Sequence, residues 1–401
     1  MALLKALPKS GFSSGLRGLI LITSHAPSLV GFRSSLIKDL QANGFRVTAL
    51  APNFDELTRQ AVIDLGAVAV DCPMARAGMN PLIDALNTWR LMKLLRGLNP
   101  EVVVSYFLKP VIFGSIAARL ANVPVRLAMV EGLGFVFTQD SRRISIGRKL
   151  LKRIVLTLLK IASSGVDRLI FLNPDDRDEL IAERVVPREK TFLLGGIGVN
   201  LLDWPQVPPV TNPITFLLVA RLLREKGVAE FAEAARLVKK KYPESKFILL
   251  GGLDEVNPGG IKNEQLQAWL SEGVLDWRGH VEVQPWMAKC SVFVLPSYRE
   301  GVPVSTQEAM ATGRAIITTD RPGCRQTVVD GVNGYLVPAQ DSGALAEAMC
   351  YFMKNPSLIE KMGAESARMA TENYDVVKVN RRLIELFVDV ANGKRNSPMD
   401  A

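Results

Sequence analysis

Short apolar runs and longer amphipathic segments alternate along most of this 401-residue chain. A short run rich in Val, Ile and Leu is typical of a buried strand, whereas apolar residues three or four apart are typical of a helix. Because the two patterns alternate, the sequence predicts parallel βαβ units. Strands are predicted in the first half at 18–23, 45–50, 67–70, 102–106, 125–129 and 168–172, with helices that include 33–43, 81–98 and 113–121.

A second set of strands follows a proline-rich segment, 204–213. This segment and the glycine-rich 195–198 are the expected hinge between two α/β halves, and a last helix is predicted at 377–392. The strands predicted in the second half are 214–219, 246–250, 291–295, 315–318 and 334–337.

The length of 401 residues suggests two domains rather than one or four. Hydrophobic residues make up 48% of the chain, which is ample for two cores. We expect no membrane-spanning helix, because no apolar run reaches about eighteen residues, and no signal peptide in the first ten residues. With only two histidines, a His-rich metal site is excluded. The cysteines lack CxxC spacing and suit buried thiols in a reducing cytoplasm; they are Cys72, Cys290, Cys324 and Cys350.

The net charge of +9 predicts an acidic partner. Nucleic acid is not expected, because the aromatic residues are not interleaved with the basic ones. Positive charge is concentrated between Asp140 and Asp167, where no acidic residue occurs. Apolar residues at helical spacing there predict an amphipathic helix that lies on anionic lipid headgroups. The alternative is an ordinary helix that packs on a sheet while its cations stay in water. The cations expected to face the membrane are Arg148, Lys149, Lys152 and Arg153.

The most informative segment runs from the predicted strand 291–295 through a polar turn into a helix predicted at 305–312. Such a strand–loop–helix unit forms a ligand crevice at the carboxyl end of a parallel strand, and its amides can hold anionic oxygens. Glu300 and Glu308 stand at opposite ends of the loop, where two carboxylates can bind the hydroxyls of two sugar rings. The alternatives are a capping box from Ser305 to Glu308 and a solvated turn residue at Glu300.

The Glu-x7-Glu pattern resembles that of the retaining glycosyltransferases of family 4. The resemblance continues downstream in GRAIITTDRPGCR (313–325) and DGVNGYLVP (330–338), and upstream in VARLLREKG (219–227). The first half is similar to enzymes that build bacterial surface glycans on polyprenyl-diphosphate carriers. The motifs that carry this second similarity are RAGMNP (76–81), KPVIFG (109–114) and EGLGFVFT (131–138).

The resemblance implies a GT-B fold, in which two Rossmann-like domains with parallel sheets face each other across a cleft. The expected domains are an acceptor-binding domain, 1–196, and a nucleotide-sugar-binding domain, 197–374. The last segment, 375–401, is expected to be a helix that crosses back to the first domain.

The resemblance also implies roles for the residues of the second half. Arg221 and Lys226 would neutralise the departing diphosphate, Glu300 would contact the transferred sugar, and Glu308 would bind the ribose hydroxyls. The alternative for the two cations is a surface pair that flanks Glu225. The remaining donor-binding positions are Gly301, Val302, Pro303, Val304 and, in a neighbouring loop, Gly323. The family commonly has Glu where this chain has Gln326, so no charged role is expected there.

The acceptor side is expected on loops of the first half. Lys109 would pair with an acceptor phosphate and Glu131 would orient an acceptor hydroxyl; the alternative is that both belong to an internal ion pair. The other candidates are His25, Arg33, Gly132 and Gly134, and the alternative for His25 is an ordinary loop histidine. The string Asp176-Arg-Asp178 imitates a metal-binding motif but lies in an acidic helix start. We therefore expect no catalytic metal and no other cofactor.

The resulting hypothesis is a cytoplasmic enzyme, peripheral on the inner face of the membrane. It would transfer a hexose or N-acetylhexosamine from a UDP-sugar to a polyprenyl-diphosphate-linked saccharide in surface-polysaccharide synthesis. Three alternatives stay open: a soluble or lipopolysaccharide-core acceptor, a UDP-sugar 2-epimerase, and a catalytically silent sugar-nucleotide-binding protein.

Overall fold

The structure is a computed structural model, which describes residues 17–74, 80–138, 146–255, 257 and 259–396. A seven-stranded sheet occupies the first half, in the order β3-β2-β1-β4-β5-β6-β7. β1 pairs in parallel with both β2 and β4. The strands of this sheet are β1 (Arg17–Ile22), β2 (Phe45–Ala51), β3 (Val68–Asp71), β4 (Val102–Tyr106), β5 (Val125–Val130), β6 (Arg168–Phe171) and β7 (Thr191–Leu193).

A six-stranded sheet occupies the second half, in the order β10-β9-β8-β11-β12-β13. β8 pairs in parallel with both β9 and β11. The strands are β8 (Thr215–Val219), β9 (Lys246–Leu250), β10 (Asp276–Trp277), β11 (Val292–Leu295), β12 (Ala315–Thr319) and β13 (Gly334–Val337). All the predicted strands are confirmed within a residue or two. The prediction missed β7 and β10, which are too short and too little buried to form an apolar run.

Helices connect the strands, as the alternating pattern predicted. They are α1 (Pro27–Gly31), α2 (Ser34–Ala42), α3 (Glu56–Asp64), α4 (Pro81–Leu98), α5 (Ser115–Leu120), α6 (Ile146–Ser164), α7 (Pro174–Ala182), α8 (Val228–Lys239), α9 (Asn263–Ser271), α10 (Gln284–Lys289), α11 (Val304–Ala311), α12 (Ser342–Lys354), α13 (Ser357–Asn373) and α14 (Val376–Asn396). The helix predicted at 113–121 is divided, because Pro110–Gly114 forms a π-helical turn before α5. None of the helices in the described ranges is long and apolar enough to cross a membrane.

Central strands are buried along their whole length, which explains their uninterrupted apolar sequences. Every residue of β4 and of β11 is buried. In the core beside β8, the rings of Phe216 and Phe247 stack with their centroids 5.1 Å apart, and Phe231 from α8 packs edge-on against Phe247.

Strand order reverses beside the first strand of each sheet. In a doubly wound sheet the ligand crevice lies at such a switch point, outside the carboxyl ends of the two strands that flank it. The switch points here lie between β1 and β4 and between β8 and β11. The loops that follow these four strands are therefore the places to look for function.

By compactness, the chain divides into two units that do not follow the sheets. Unit 1 comprises 1–128, 165–167 and 386–401, and unit 2 comprises 129–164 and 168–385. The end of α14 belongs to unit 1, where Arg17 of β1 donates to Asn392 (3.1 Å) and Lys394 lies 2.9 Å from Asp167. This return of the last helix confirms the expectation for the C-terminal segment. The boundaries at 196 and 374 stay a prediction.

Candidate active site

Two loops of unit 2 meet at the switch point of the second sheet. We call residues 220–227 the β8 loop and residues 296–303 the β11 loop. Lys226 from the first and Glu300 from the second form an ion pair, with Nζ 2.5 Å from Oε1. The two side chains are only 19% and 13% exposed. The structure thus brings together two of the three residues that sequence reasoning assigned to catalysis.

Arg221, the third residue assigned to catalysis, pairs with a different carboxylate. Its Nη1 lies 3.5 Å from Asp254 Oδ2, and its side chain is 56% exposed. Lys226 pairs with Glu300 across the two loops, and the Glu225 backbone carbonyl accepts a hydrogen bond from the Tyr298 amide at 2.9 Å. The alternative of a plain surface pair is therefore wrong for Lys226, while the position of Arg221 leaves its role as a prediction.

Glu308 lies on α11, immediately beyond the β11 loop. The capping-box alternative is wrong: Pro303 is the N-cap residue, and no side chain caps the helix start. Glu308 is half-buried, and none of the described residues donates a hydrogen bond to its carboxylate. Burial raises its pKa to about 7. A shielded carboxylate without a protein partner is suited to accept hydrogen bonds from a ligand.

Glycines let two further segments approach the β11 loop closely. A Cβ on Gly323, whose φ is +78°, would lie 2.1 Å from the Glu300 carbonyl oxygen. A Cβ on Gly301 would lie 2.3 Å from the Glu131 carbonyl oxygen. The Glu300 amide also donates to the Pro322 carbonyl at 2.9 Å. Gly323, a predicted donor position, therefore allows the close approach of its own segment to the backbone of the β11 loop, because it has no side chain.

The first turn of α11 completes the predicted donor set. Val302 is 3% exposed and Pro303 is buried, so these two residues pack inward. Val304 begins the helix. The first amides of a helix have no intrahelical acceptor, so an uncapped start can hold anionic oxygens.

The candidates of unit 1 lie on the loops that flank the switch point of the first sheet. His25 follows β1, and its carbonyl accepts a hydrogen bond from the Ser28 hydroxyl at 2.5 Å. Arg33 is 3% exposed and its guanidinium lies over the Tyr106 ring, 4.8 Å from the centroid. Burial lowers the pKa of Arg33. Its packing against Tyr106 was not visible in the sequence.

Lys109 follows β4 and forms an internal ion pair within unit 1. Its Nζ lies 2.9 Å from Oδ1 of Asp84, a buried residue of α4. The partner is therefore Asp84 and not Glu131, which the sequence had suggested. Sequence periodicity gives no signal for this pair, because Asp84 lies in the first turn of its helix, where acidic residues are common.

Glu131, Gly132 and Gly134 lie in unit 2, in the segment after β5. Gly132 has a φ of +116°, and a Cβ there would lie 3.1 Å from the Gly301 nitrogen. Gly134 has a φ of +72° and is exposed. Glu131 and Gly132 thus contact the β11 loop through their backbone. Four of the six residues of the RAGMNP motif, 76–79, lie outside the described residues.

The acidic start of α7 is structural, as predicted, and also contacts the β11 loop. Asn173 is the N-cap residue, and its Oδ1 accepts a hydrogen bond from the Asp176 amide at 2.8 Å. Asp176 is fully buried and forms an ion pair with Arg299. Burial raises the pKa of Asp176, although Arg299 opposes this shift. Sequence reasoning missed Arg299, for which its position directly before Glu300 was the available signal.

Gln326 makes polar contacts on two sides. The side-chain Nε2 of Gln326 donates to Asp175 Oδ2 at 2.8 Å, and its backbone carbonyl accepts a hydrogen bond from the Tyr374 hydroxyl at 2.8 Å. The neighbouring Arg325 binds the other oxygen of Asp175 at 2.9 Å. An amide at 326 therefore serves here as a donor to a carboxylate.

Helix α6 has two apolar faces. Val155 and Leu159 are buried, whereas a second stripe at four-residue spacing is exposed: Ile146 by 86%, Leu150 by 59% and Ile154 by 43%. The two predicted membrane-facing cations Lys149 and Arg153 are exposed beside this stripe. The other two have partners in unit 2: Arg148 donates to the Thr138 carbonyl, and Lys152 pairs with Glu179 at 2.9 Å. Arg142 and Arg143, from the same basic interval, lie outside the described ranges.

The four cysteines are free thiols, and Cys72, Cys290 and Cys324 are buried as predicted. Burial raises the pKa of each of these three to about 12. Within the part of the chain that the structure describes, no group of three or more His, Cys, Asp or Glu side chains could hold a metal ion.

Comparisons with known proteins show which family the chain belongs to. Residues 213–355 match the family model described as glycosyl transferases group 1, and residues 33–195 match that of the glycosyl transferase 4-like domain. An N,N'-diacetylbacillosaminyl-diphospho-undecaprenol alpha-1,3-N-acetylgalactosaminyltransferase of Campylobacter jejuni is 30% identical over 380 residues. That match covers 91% of this chain and 96% of the relative.

A second relative is the UDP-Gal:alpha-D-GlcNAc-diphosphoundecaprenol alpha-1,3-galactosyltransferase of Escherichia coli. It is 28% identical over 323 residues, which cover 76% of this chain and 79% of the relative. Among solved structures, sucrose-phosphate synthase from Thermosynechococcus elongatus superposes with a TM-score of 0.77 at 17% identity, covering 94% of this chain and all of that one. Anabaena HepE, solved with UDP and glucose, superposes with a TM-score of 0.74 at 14% identity, covering 93% and 100%.

The fold and the site thus define a glycosyltransferase of the GT-B class. This chain belongs to the family 4 glycosyltransferases.

Proposed function

We propose that this glycosyltransferase transfers a hexose or N-acetylhexosamine from a UDP-sugar to a saccharide linked to a polyprenyl diphosphate. The product would be an intermediate in the synthesis of a bacterial surface polysaccharide. The observation that carries the proposal is the partly buried ion pair between Lys226 and Glu300 at the switch point between β8 and β11. The names of the two relatives, both of which act on undecaprenyl-diphosphate-linked sugars, support the acceptor class.

The proposed reaction forms a bond between an acceptor hydroxyl oxygen and the anomeric carbon and breaks the bond from that carbon to UDP. Negative charge develops on the diphosphate, and Lys226, with Arg221, stabilises it. The acceptor attacks on the face from which UDP departs, so the anomeric configuration is retained, and a phosphate oxygen takes the hydroxyl proton. Glu300 then binds the transferred sugar, and Glu308 binds the ribose hydroxyls.

We also propose that the enzyme works at the inner face of the cytoplasmic membrane. The exposed stripe of α6 and the cations beside it, Lys149 and Arg153, support this location. A helix with these features lies in the headgroup region with its apolar side chains in the interface. No metal or other cofactor is part of the proposed reaction.

The test is a donor screen with purified protein and a polyprenyl-diphosphate-linked saccharide, read by UDP release and by the anomeric configuration of the product. We expect one UDP-sugar to give UDP release that requires acceptor, and we expect the product to retain the axial configuration of the donor's anomeric carbon. Lys226→Ala should lower kcat by about 100-fold, the range for loss of one charge-stabilising group. Lys240→Ala, an exposed cation at the end of α8, is the control and should retain full activity.

The same screen separates the alternatives. A 2-epimerase releases UDP without acceptor or converts the donor into its epimer, and a silent binding protein does neither. A preference for a water-soluble acceptor over the lipid-linked one would replace the proposed acceptor class. Full transfer activity in Lys226→Ala or Glu300→Ala would overturn the proposed catalytic residues.

A further inference from the structure

We infer that Asn173, Asp176 and Arg299 are positioning residues that hold the β11 loop in its donor-binding conformation. This inference rests on the proposed function, because it assigns the loop to the donor. We call the three residues the α7 cluster, since two of them form the start of that helix. All three and the loop itself belong to unit 2.

The α7 cluster is buried, and its hydrogen-bonding groups are used. Asn173 and Asp176 are 0% exposed, and the Arg299 side chain is 7% exposed. Asp176 Oδ1 accepts from Arg299 Nε at 3.2 Å and from Nη2, and Asp176 Oδ2 accepts from Asn173 Nδ2 at 3.1 Å. Arg299 Nη1 also donates to the Phe137 carbonyl at 3.0 Å. Such a satisfied buried network fixes one geometry, because every alternative leaves a polar group unpaired.

The network acts on the loop backbone directly. Asn173 Nδ2 also donates to the Gly301 carbonyl at 2.6 Å. The Gly301 carbonyl and the Val302 amide share one planar peptide group, so fixing the oxygen also fixes the direction of that N–H. From the other side, Gln307 Nε2 donates to the Val302 carbonyl at 3.1 Å. Two successive carbonyls of the loop are thus held by buried side-chain amides.

The cluster also fixes the residue before the proposed sugar-binding carboxylate. Arg299 is anchored by Asp176 and by Glu179 Oε2, 2.8 Å from Nη2. Because Arg299 and Glu300 are consecutive, the anchored guanidinium restricts where the Glu300 backbone can go. Among the described residues, no hydrogen bond or ion pair joins the α7 cluster to Lys226 or to the Glu300 carboxylate, so its proposed effect passes through the loop.

The experiment compares Asp176→Asn and Arg299→Lys with wild type and with Asp178→Asn. Asp178→Asn makes the same chemical change on the same helix, but Asp178 is exposed and its partners among the described residues are Arg177 and Arg188. The measurements are amide hydrogen exchange in peptides that cover 299–306, UDP affinity by calorimetry, and kcat and KM for the donor. All are made well below the unfolding temperature of each variant.

We expect faster exchange in 299–306, weaker UDP binding and a kcat lowered by up to about 100-fold in Asp176→Asn, as for a small misplacement of positioned groups. Arg299→Lys keeps the positive charge but loses the planar guanidinium that donates to several acceptors at once. We therefore expect its exchange rate, UDP affinity and kcat to lie between those of wild type and Asp176→Asn. Asp178→Asn should match wild type. If Asp176→Asn does not fold, the same measurements on Arg299→Lys alone test the inference.

The inference is overturned if both variants show a lowered unfolding temperature but wild-type exchange in 299–306, UDP affinity and kcat, since the cluster would then only stabilise the fold. Failure of the proposed function is distinguishable: wild type would then bind no UDP or transfer no sugar. Hydrogen exchange would still report whether the cluster holds the loop.

Discussion

At the scale of single residues, a substitution at Glu308 can distinguish a role in ligand binding from a role in stability. Its folded-state pKa of about 7 lies above the ordinary 4.5 because burial disfavours the carboxylate. Because folding raises this pKa, the contribution of Glu308 to the free energy of unfolding is complete below pH 4.5 and is lost as the pH rises through 7. Glu308→Gln, which stays neutral, should therefore match wild type near pH 4.5 and be more stable at pH 8. The expected gain is on the order of 3 kcal/mol, measured by denaturant or thermal unfolding.

The same variant should bind UDP more weakly at pH 8, because an amide replaces the carboxylate that accepts the ribose hydroxyls. A more stable protein with a weaker ligand affinity is typical of a residue kept for function. Glu347→Gln, the same change at an exposed site of α12, is the control and should alter neither quantity. A less stable Glu308→Gln at pH 8 would contradict the burial argument, and unchanged UDP affinity would contradict the ribose assignment.

At the scale of elements, Gly323 tests whether the β11 loop needs the close approach of its neighbour. Gly323 and Gly331 have nearly equal φ angles, +78° and +73°, so alanine is equally strained at both. Only at Gly323 does a Cβ clash with the loop; at Gly331 nothing lies within 4 Å. We expect Gly323→Ala to lower donor turnover by at least about tenfold more than Gly331→Ala, measured as kcat/KM. Equal losses would mean that backbone strain alone is responsible.

The sequence predicted the strands and helices well, because these depend on local patterns. Parallel strands buried on two faces give apolar runs that are easy to recognise, and Glu300 and Glu308 stand at the ends of one loop. The contacts that join distant segments were not predicted. The pairs Lys109–Asp84 and Asp176–Arg299 join residues 25 and 123 positions apart. No periodicity records which buried partner a charged side chain finds in three dimensions.

At the scale of the whole molecule, α6 carries part of the net positive charge, and the role proposed for this charge is binding to a membrane surface. We expect the protein to bind vesicles that contain anionic lipid, and Lys149→Glu/Arg153→Glu to weaken that binding by at least about 30-fold, since each cation near such a surface contributes about 1 kcal/mol. Cosedimentation at fixed ionic strength is the measurement. Ile146→Ser/Leu150→Ser, which keeps the charge, should weaken binding as well, because the helix would lose its apolar contact.

The control for this experiment is Lys240→Glu/Lys241→Glu, which changes the net charge equally at the exposed end of α8. This variant should bind vesicles almost as well as wild type. Equal losses in both charge variants would mean that vesicle binding depends on net charge and that α6 has no special part in it.

The pairing of Lys226 with Glu300 has a consequence for how the enzyme acquires its donor. Each of these side chains is the other's counterion. Under the proposed roles, an arriving diphosphate exchanges places with the carboxylate at the ammonium group. The same exchange frees Glu300 to bind the sugar hydroxyls. Binding of the diphosphate by Lys226 and binding of the sugar by Glu300 are then coupled.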